Sequence, residues 1–288
     1  MITRTAAVAG SFGRDVERGL SKVLGIVEHA RQRGVQLLVL PHAVLGGYLS
    51  DLRDVGATGL PPALDGDGPE VRRVAEAARG VVVCFGYTEA EGARRWNSAV
   101  CVADGRVLGR HRKVHQTAGE GRRYAAGDAF RAFDTPVGRL GLLIDYDKTF
   151  PESARTLALD GAQVLCCPSA WPASVTDRAA RLAHDRQSRL FDLYDGARAA
   201  ENQVVLVSAN QTGVTGRLRF LGQAKVVGPG GDVLARTGTK GGMAVVDLDP
   251  AAEVRRARRT LRHLQERRTG TYRGLLEPAA HEAAAVLP

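Results

Sequence analysis

An acid stands where a buried strand should turn into a helix. The stretch Gly141-Leu-Leu-Ile-Asp145-Tyr-Asp-Lys-Thr-Phe-Pro-Glu152 runs from apolar residues through Asp145 to a proline and a glutamate. Pro151 suits the first turn of a helix, where its missing N–H costs nothing, and Glu152 is favourable near the same terminus. A carboxylate at such a turn can give or take a proton. It is a poor nucleophile toward an amide, because its product would be a mixed anhydride, uphill of an unactivated amide. Aspartate nucleophiles serve better at phosphorus or saturated carbon. The structural alternative is that Asp145 caps the following helix or pairs with a cation. Asp147 and Glu152 read as structural.

The cysteines offer less. Cys84, Cys101, Cys166 and Cys167 all fall in strand-like apolar runs. They lack the spaced pairs of a zinc site and suit no disulfide framework. They read as small buried apolar side chains, with a catalytic Cys166 as the weaker alternative.

The elements that would position these groups alternate strand and helix. Ala6–Ala9 is short and apolar, and Asp15–Arg33 carries Val16, Leu20, Val23, Leu24 and Val27 at the spacing of one helical face. Gly34 then supplies a C-terminal cap. Gln36–Leu40 reads as a strand covered on both faces, Glu70–Ala78 as a helix and Val81–Tyr87 as a strand. Asp104-Gly105 joins Trp96–Val102 to Arg106–Arg110 in a hairpin. A second turn at 135–138 joins Phe130–Phe133 to Arg139–Ile144. A helix from Phe150-Pro151-Glu152, a strand at Gln163–Cys167, a long helix at Asp177–Asn202 and a strand at Val204–Ser208 follow. The last strands lie at Gly222–Val227, Asp232–Ala235 and Met243–Asp247. This order argues for an α/β sandwich, two sheets each covered by helices on one face, in a single domain. The arm 251–288, poor in core-type residues, is expected at the surface or against another subunit.

The chain has 288 residues, 44% hydrophobic and 25% charged, the composition of a globular domain. No apolar run suits a membrane span and the start lacks a secretory signal, so a cytoplasmic location is expected. The net charge is +9, but residues 253–273 hold eight arginines against two glutamates and supply two thirds of it. Such an arm reads as a solvated or subunit-bridging segment. Nucleic-acid binding through it is the weakest reading.

A series of short motifs, in order along nearly the whole chain, resembles the nitrilase superfamily of carbon–nitrogen hydrolases. The series includes Leu37-Leu-Val-Leu-Pro41 with Gly47-Tyr48, Arg112-Lys113-Val-His115 and Glu120-Gly-Arg-Arg-Tyr124-Ala-Ala-Gly127-Asp128. It continues through Tyr146-Asp147, Phe150-Pro151-Glu152, Gly161-Ala162, Pro168-Ser169 and Arg198-Ala-Ala-Glu201-Asn202. Asn210 with Gly213 and Gly222 with Pro229 complete it. The resemblance implies an α-β-β-α sandwich. It also implies a site of glutamate base, oxyanion-stabilising lysine and cysteine nucleophile, with a second glutamate beside the lysine. Carried over by position, the base becomes His42, the lysine is Lys113, the second glutamate is Glu120 and the nucleophile becomes Asp145.

One carboxylate is lost at 42 and one gained at 145, so the formal charge of the site is kept if His42 is neutral. His42 titrates near neutral pH. A proton-transfer pair of His42 and Asp145, with Lys113 and Glu120 placing charge, is chemically sensible. Each also has a structural reading: a buried histidine, a cap and a salt bridge. Tyr48, Tyr146 and Trp171 are candidate pocket walls, with residues 43–69 and 115–128 at the pocket border. No metal or organic cofactor is implied.

Two function classes lead. One is an enzyme acting on a C–N or acyl group of a small molecule by non-thiol chemistry, in the sense of hydrolysis or of condensation, cyclisation or elimination. The other is a catalytically inactive relative that binds a ligand or a protein partner. The resemblance further implies a homodimer, or a larger homo-oligomer, through the helices at Phe150–Asp160 and Asp177–Asn202.

Overall fold

The computed structural model describes residues 1–272 apart from 54, 55, 57, 58 and 118. In chain order the elements are β1 (Thr3–Gly10), α1 (Val16–Gln32), β2 (Leu37–Val39), α2 (Pro69–Ala77), β3 (Val82–Glu91), β4 (Arg94–Ala103) and β5 (Arg106–Arg112). Then come β6 (Ala132–Thr135), β7 (Gly138–Leu142), α3 (Pro151–Leu159), β8 (Val164–Ser169), α4 (Arg186–Asn202) and β9 (Val205–Gln211). A small hairpin of β10 (Val214–Thr215) and β11 (Leu218–Arg219) precedes β12 (Lys225–Val227), β13 (Val233–Arg236), β14 (Gly242–Leu248) and α5 (Pro250–Ala257).

Twelve strands form one hydrogen-bonded path with two halves, β14-β1-β2-β3-β4-β5 and β13-β12-β9-β8-β7-β6. Among the described residues two residue pairs join them, Ala9 with Asn210 and Gly10 with Gln211, at the ends of β1 and β9. The two-residue period of the strands sorts side chains into layers. Leu37, Val39, Val82, Cys84, Leu142, Ile144, Cys166 and Val207 share the core between the halves. Their neighbours Leu38, Leu40, Val83 and Phe85 face the other way, against Leu20, Val23 and Val27 of α1 and Val71 and Val74 of α2. Leu143, Leu165, Cys167 and Leu206 likewise pack on Ala154 and Leu157 of α3 and Ala199 of α4. Helix, sheet, sheet, helix is thus the layering, in agreement with the expected α-β-β-α sandwich.

The local signals hold where they rest on backbone geometry. Gly34 follows α1 at φ 69°, and Asp104 and Gly105 turn the β4–β5 hairpin at φ 48° and 77°. The long helix is shorter than expected. It starts at Arg186, not Asp177, because the Asp185 carboxylate gathers the N–H groups of Ser174, Ala179 and Gln187, and this cap fixes the helix start. The arm also begins on its own chain. Val254 of α5 is buried, and the Gln203 carboxamide donates to the carbonyls of Ala257 and Leu261 and accepts from His263 N–H. Residues 273–288 lie outside the described residues.

Candidate active site

The candidate residues come from the C-terminal ends of parallel strands, where open α/β sheets bind ligands, and from the β4–β5 ribbon beside them. Asp145 lies just beyond β7 and opens a short 3-10 turn, Asp145–Thr149. Its φ is +44°, a left-handed conformation costly for a side chain with a Cβ and persistent only where the surroundings impose it. The imposing group is Asp147. Its carboxylate accepts N–H bonds from Ile144 (3.1 Å), Val114 (3.2 Å) and His115 (2.9 Å). It also binds His111 Nε2 at 2.8 Å and His115 Nδ1 at 3.1 Å. One acid thereby ties the Asp145 turn to the strand end carrying Lys113.

Glu120 organises the other side. Lys113 Nζ donates to both its oxygens, at 2.9 and 2.7 Å. Tyr48 Oη at 2.6 Å and Asn97 Nδ2 at 2.8 Å donate to Oε1, and Thr117 donates its N–H and hydroxyl to Oε2, both at 3.0 Å. Burial alone would raise the Glu120 pKa and lower that of Lys113. Their mutual attraction outweighs it, so Glu120 is held below and Lys113 above its ordinary value. Both are charged at neutral pH.

Asp145 Oδ2 lies 3.5 Å from Lys113 Nζ and Oδ1 accepts the Ala170 N–H. Among the described residues Oδ2 has no hydrogen-bond donor. Burial raises the Asp145 pKa above the usual carboxylate value, against the pull of Lys113 and His42. It is the one acid of the cluster held toward its protonated form.

His42 is fully buried, with its N–H on the Ser169 carbonyl and its own carbonyl taken by Gln211 Nε2. Its ring meets Tyr48 edge-on at 5.9 Å. Nε2 sits 3.1 Å from Asn97 Oδ1. The ionised Glu120 can only accept, so Asn97 must turn its NH₂ to Glu120 and its oxygen to His42. His42 therefore carries its proton on Nε2. Burial lowers its pKa, so the ring is neutral at pH 7. Nδ1 has no partner among the described residues and lies against Gly86, where a Cβ would come within 2.2 Å of it. No hydrogen bond joins His42 to Asp145 among the described residues.

A cavity of about 220 Å³ opens on this cluster. Lys113, Asp145 and Thr117 give it a polar wall, Tyr48, Tyr146 and Trp171 an aromatic one, and 170–175 a continuous stretch. The volume is that of about seven waters, so it suits a small molecule. Lys113, Asp145, Tyr48, Tyr146 and Trp171 line it directly, whereas His42 and Glu120 stand behind the lining. The border is broader than 43–69 and 115–128, since 170–175 and Gln187 belong to it. Asn97, a lone amide in the apolar strand Trp96–Val102, was the overlooked signal. Ala170 contributes through its backbone and carries no sequence signal.

All four cysteines are free and buried, and none lines the cavity. Cys167, beside this region, is pushed up to about 12 by burial. Among the described residues no group of His, Cys, Asp or Glu could hold a metal ion, and no helix is long and apolar enough to cross a membrane.

The profile of the carbon–nitrogen hydrolase family matches residues 4–259. A probable nitrilase of Schizosaccharomyces pombe is 31% identical over 92% of this chain and 94% of its own length. A carbon–nitrogen hydrolase of Helicobacter pylori superposes with a TM-score of 0.84 over 96% of this chain and 99% of its own, at 24% identity, a likeness of fold. A glutamate-to-glutamine mutant of an amidase of Nesterenkonia sp., 27% identical with a TM-score of 0.75 over 94% of this chain and 96% of its own, shows covalent addition of the acetamide moiety of fluoroacetamide at its active-site cysteine. By sequence and by fold, this chain belongs to the carbon–nitrogen hydrolase family.

Proposed function

We propose that this protein is a carbon–nitrogen hydrolase-family enzyme that works on an acyl or C–N group of a small molecule without a thiol, through Asp145 and Lys113. The observation that carries the reading is the wall of the cavity: Asp145 and Lys113 line it together and no cysteine does. In the hydrolytic sense, Asp145 takes a proton from water as its oxygen attacks the carbonyl carbon. The Lys113 ammonium stabilises the oxyanion, and the proton returns from Asp145 to the leaving nitrogen. An acid whose pKa is raised toward neutrality suits both transfers. Glu120 keeps Lys113 charged and in place. His42 has a supporting part here, holding Asn97 and Tyr48, since no hydrogen bond links it to Asp145.

That missing bond favours a second reading, a ligand-binding relative without turnover. The two separate on a panel of small amides, carbamoyl compounds and nitriles, followed by release of ammonia and of acid. Turnover by the wild type that is lost in Asp145→Asn and Lys113→Met supports the first reading. Ligand binding without turnover, unchanged in Asp145→Asn, supports the second. The double variant His42→Glu with Asp145→Cys adds a control: gain of amidase activity means the surrounding pocket is intact.

The reading includes a homodimer. Leu193 on α4 is 61% exposed and Leu159 at the end of α3 48%. Leu190, Leu193, Ala197 and Ala200 form one stripe at helical spacing, the kind of apolar patch that a second copy covers.

A further inference from the structure

Gln187 lines the same cavity as Lys113 and Asp145, and its carboxamide has one orientation open to it. The Trp171 indole can only donate, and its Nε1–H gives Gln187 Oε1 a 2.9 Å hydrogen bond. Trp171 is itself fixed. Its N–H binds Asn210 Oδ1 at 2.7 Å, and its ring packs edge-on against Phe191 at 5.7 Å. The backbone of Gln187 is fixed as well, with its N–H on the capping carboxylate of Asp185 at 2.9 Å. The carboxamide is therefore clamped by its oxygen. Nε2, with two N–H groups, makes no hydrogen bond among the described residues.

Three other hydroxyls of the wall are already committed, and that of Tyr146, which makes no hydrogen bond among the described residues, is the remaining one. Ser174 donates to Asp185, while Thr117 and Tyr48 donate to Glu120. Lys113 likewise places its ammonium on both oxygens of Glu120.

We propose that Gln187 is a specificity-determining residue of this cavity, its Nε2 receiving a hydrogen-bond acceptor of the substrate, a carboxylate or carbonyl oxygen borne on an apolar body that the aromatic wall covers. Nε2 has no lone pair to offer, so an ammonium or another pure donor at this point would meet N–H against N–H. The proposal rests on the reading of the cavity as the site of a small acyl or C–N substrate. It adds which second group that substrate carries.

The test is calorimetric and needs no turnover. Three probes share one body: benzamide, terephthalamate (the same ring with a carboxylate opposite the amide) and 4-(aminomethyl)benzamide. The full chain should bind terephthalamate about tenfold more tightly than benzamide and 4-(aminomethyl)benzamide no better than benzamide. Gln187→Leu should remove the advantage of terephthalamate over benzamide. That variant also takes the acceptor from Trp171. Gln187→Glu, which keeps an oxygen for the indole, is the second variant and should shift the preference to the aminomethyl compound. Equal binding of terephthalamate and benzamide by the wild type would overturn the proposal. So would an advantage that survives Gln187→Leu, or no saturable binding of any probe. The catalytic reading fails separately: a Gln187-dependent preference without hydrolysis of any amide sinks turnover and leaves specificity standing.

Discussion

At the scale of single residues, the site is a set of side chains that fit one another. A neutral histidine at 42 needs an acceptor for its Nε2–H, which the oxygen of Asn97 provides, and it needs room, which Gly86 provides. Gly86→Ala would place a methyl on the imidazole, so it should destabilise the fold by about 1–3 kcal/mol through overpacking. Adding His42→Ala should recover part of that loss, the part due to the ring, since the His42 Cα would still lie 2.9 Å from the new methyl. Thermal unfolding of the two variants checks this, and no recovery in the double variant would place the strain elsewhere. Asp145 should show the opposite sign. Burial raises its pKa, so its ionised form is disfavoured in the fold and its contribution worsens as pH rises through the folded value. Asp145→Asn is thus expected to keep or raise the melting temperature at pH 7 while turnover disappears. A fall in melting temperature would instead make Asp145 a structural partner of Lys113. Asp145 could be picked out in the sequence because strand, turn and helix signals converge on it. Asn97 could not, because its importance comes from Glu120 and His42, which are distant in sequence.

At the scale of elements, buried charges do the joining. Asp147 fastens the Asp145 turn to the end of β5. Asp195 of α4 takes Lys148 of that turn at 2.6 Å and Lys225 of β12 at 2.8 Å. Phe191 lies against both ammonium groups, at 3.3 and 4.0 Å from its centroid. Asp195→Ala would leave the buried Lys148 with the Ser208 hydroxyl at 3.4 Å and Lys225 with Asp192 at 2.8 Å, at a cost of about 3–5 kcal/mol, read by urea unfolding. A loss well under 1 kcal/mol would show that water reaches the cluster. The acids also set a pH window. Burial alone would raise Asp147, Asp195 and Glu120, yet their cationic and hydrogen-bonding partners hold all three below the ordinary carboxylate range. A depressed folded pKa contributes stability that is present above the unfolded value and lost as pH falls through the folded one. Unfolding should therefore set in below about pH 4. A melting temperature that stays flat from pH 6 to about pH 3 would contradict this. The strands were legible because apolar runs and two-residue alternation are local. The start of α4 was not, because the donors that Asp185 collects include Ser174, eleven residues away.

For the whole molecule, the sandwich leaves each sheet half with one helix-covered face, and the cavity opens near the ends of β5, β7 and β8. The layer order could be read from alternating strands and helices, and the ordered motifs pointed to the family. What stayed out of reach was depth: which of His42, Lys113, Glu120 and Asp145 touch the cavity and which stand behind it. The α3–α4 face gives a test at this scale. Light scattering on the purified chain should give a dimer, and Leu193→Glu should shift it to monomer without loss of fold. A monomeric wild type would remove the dimer from the account. The arginine-rich arm should bind random duplex DNA weakly, if at all, at physiological salt.

The account turns on position 145 being the reactive seat beside Lys113, with every native thiol out of reach. Mass spectrometry after treatment with fluoroacetamide tests this most directly, on the wild type and on Asp145→Cys. The expected result is an unmodified wild type and one adduct in the variant, mapped to residue 145. An adduct on Cys166 or Cys167 of the wild type, or a folded Asp145→Cys that takes none, would contradict it.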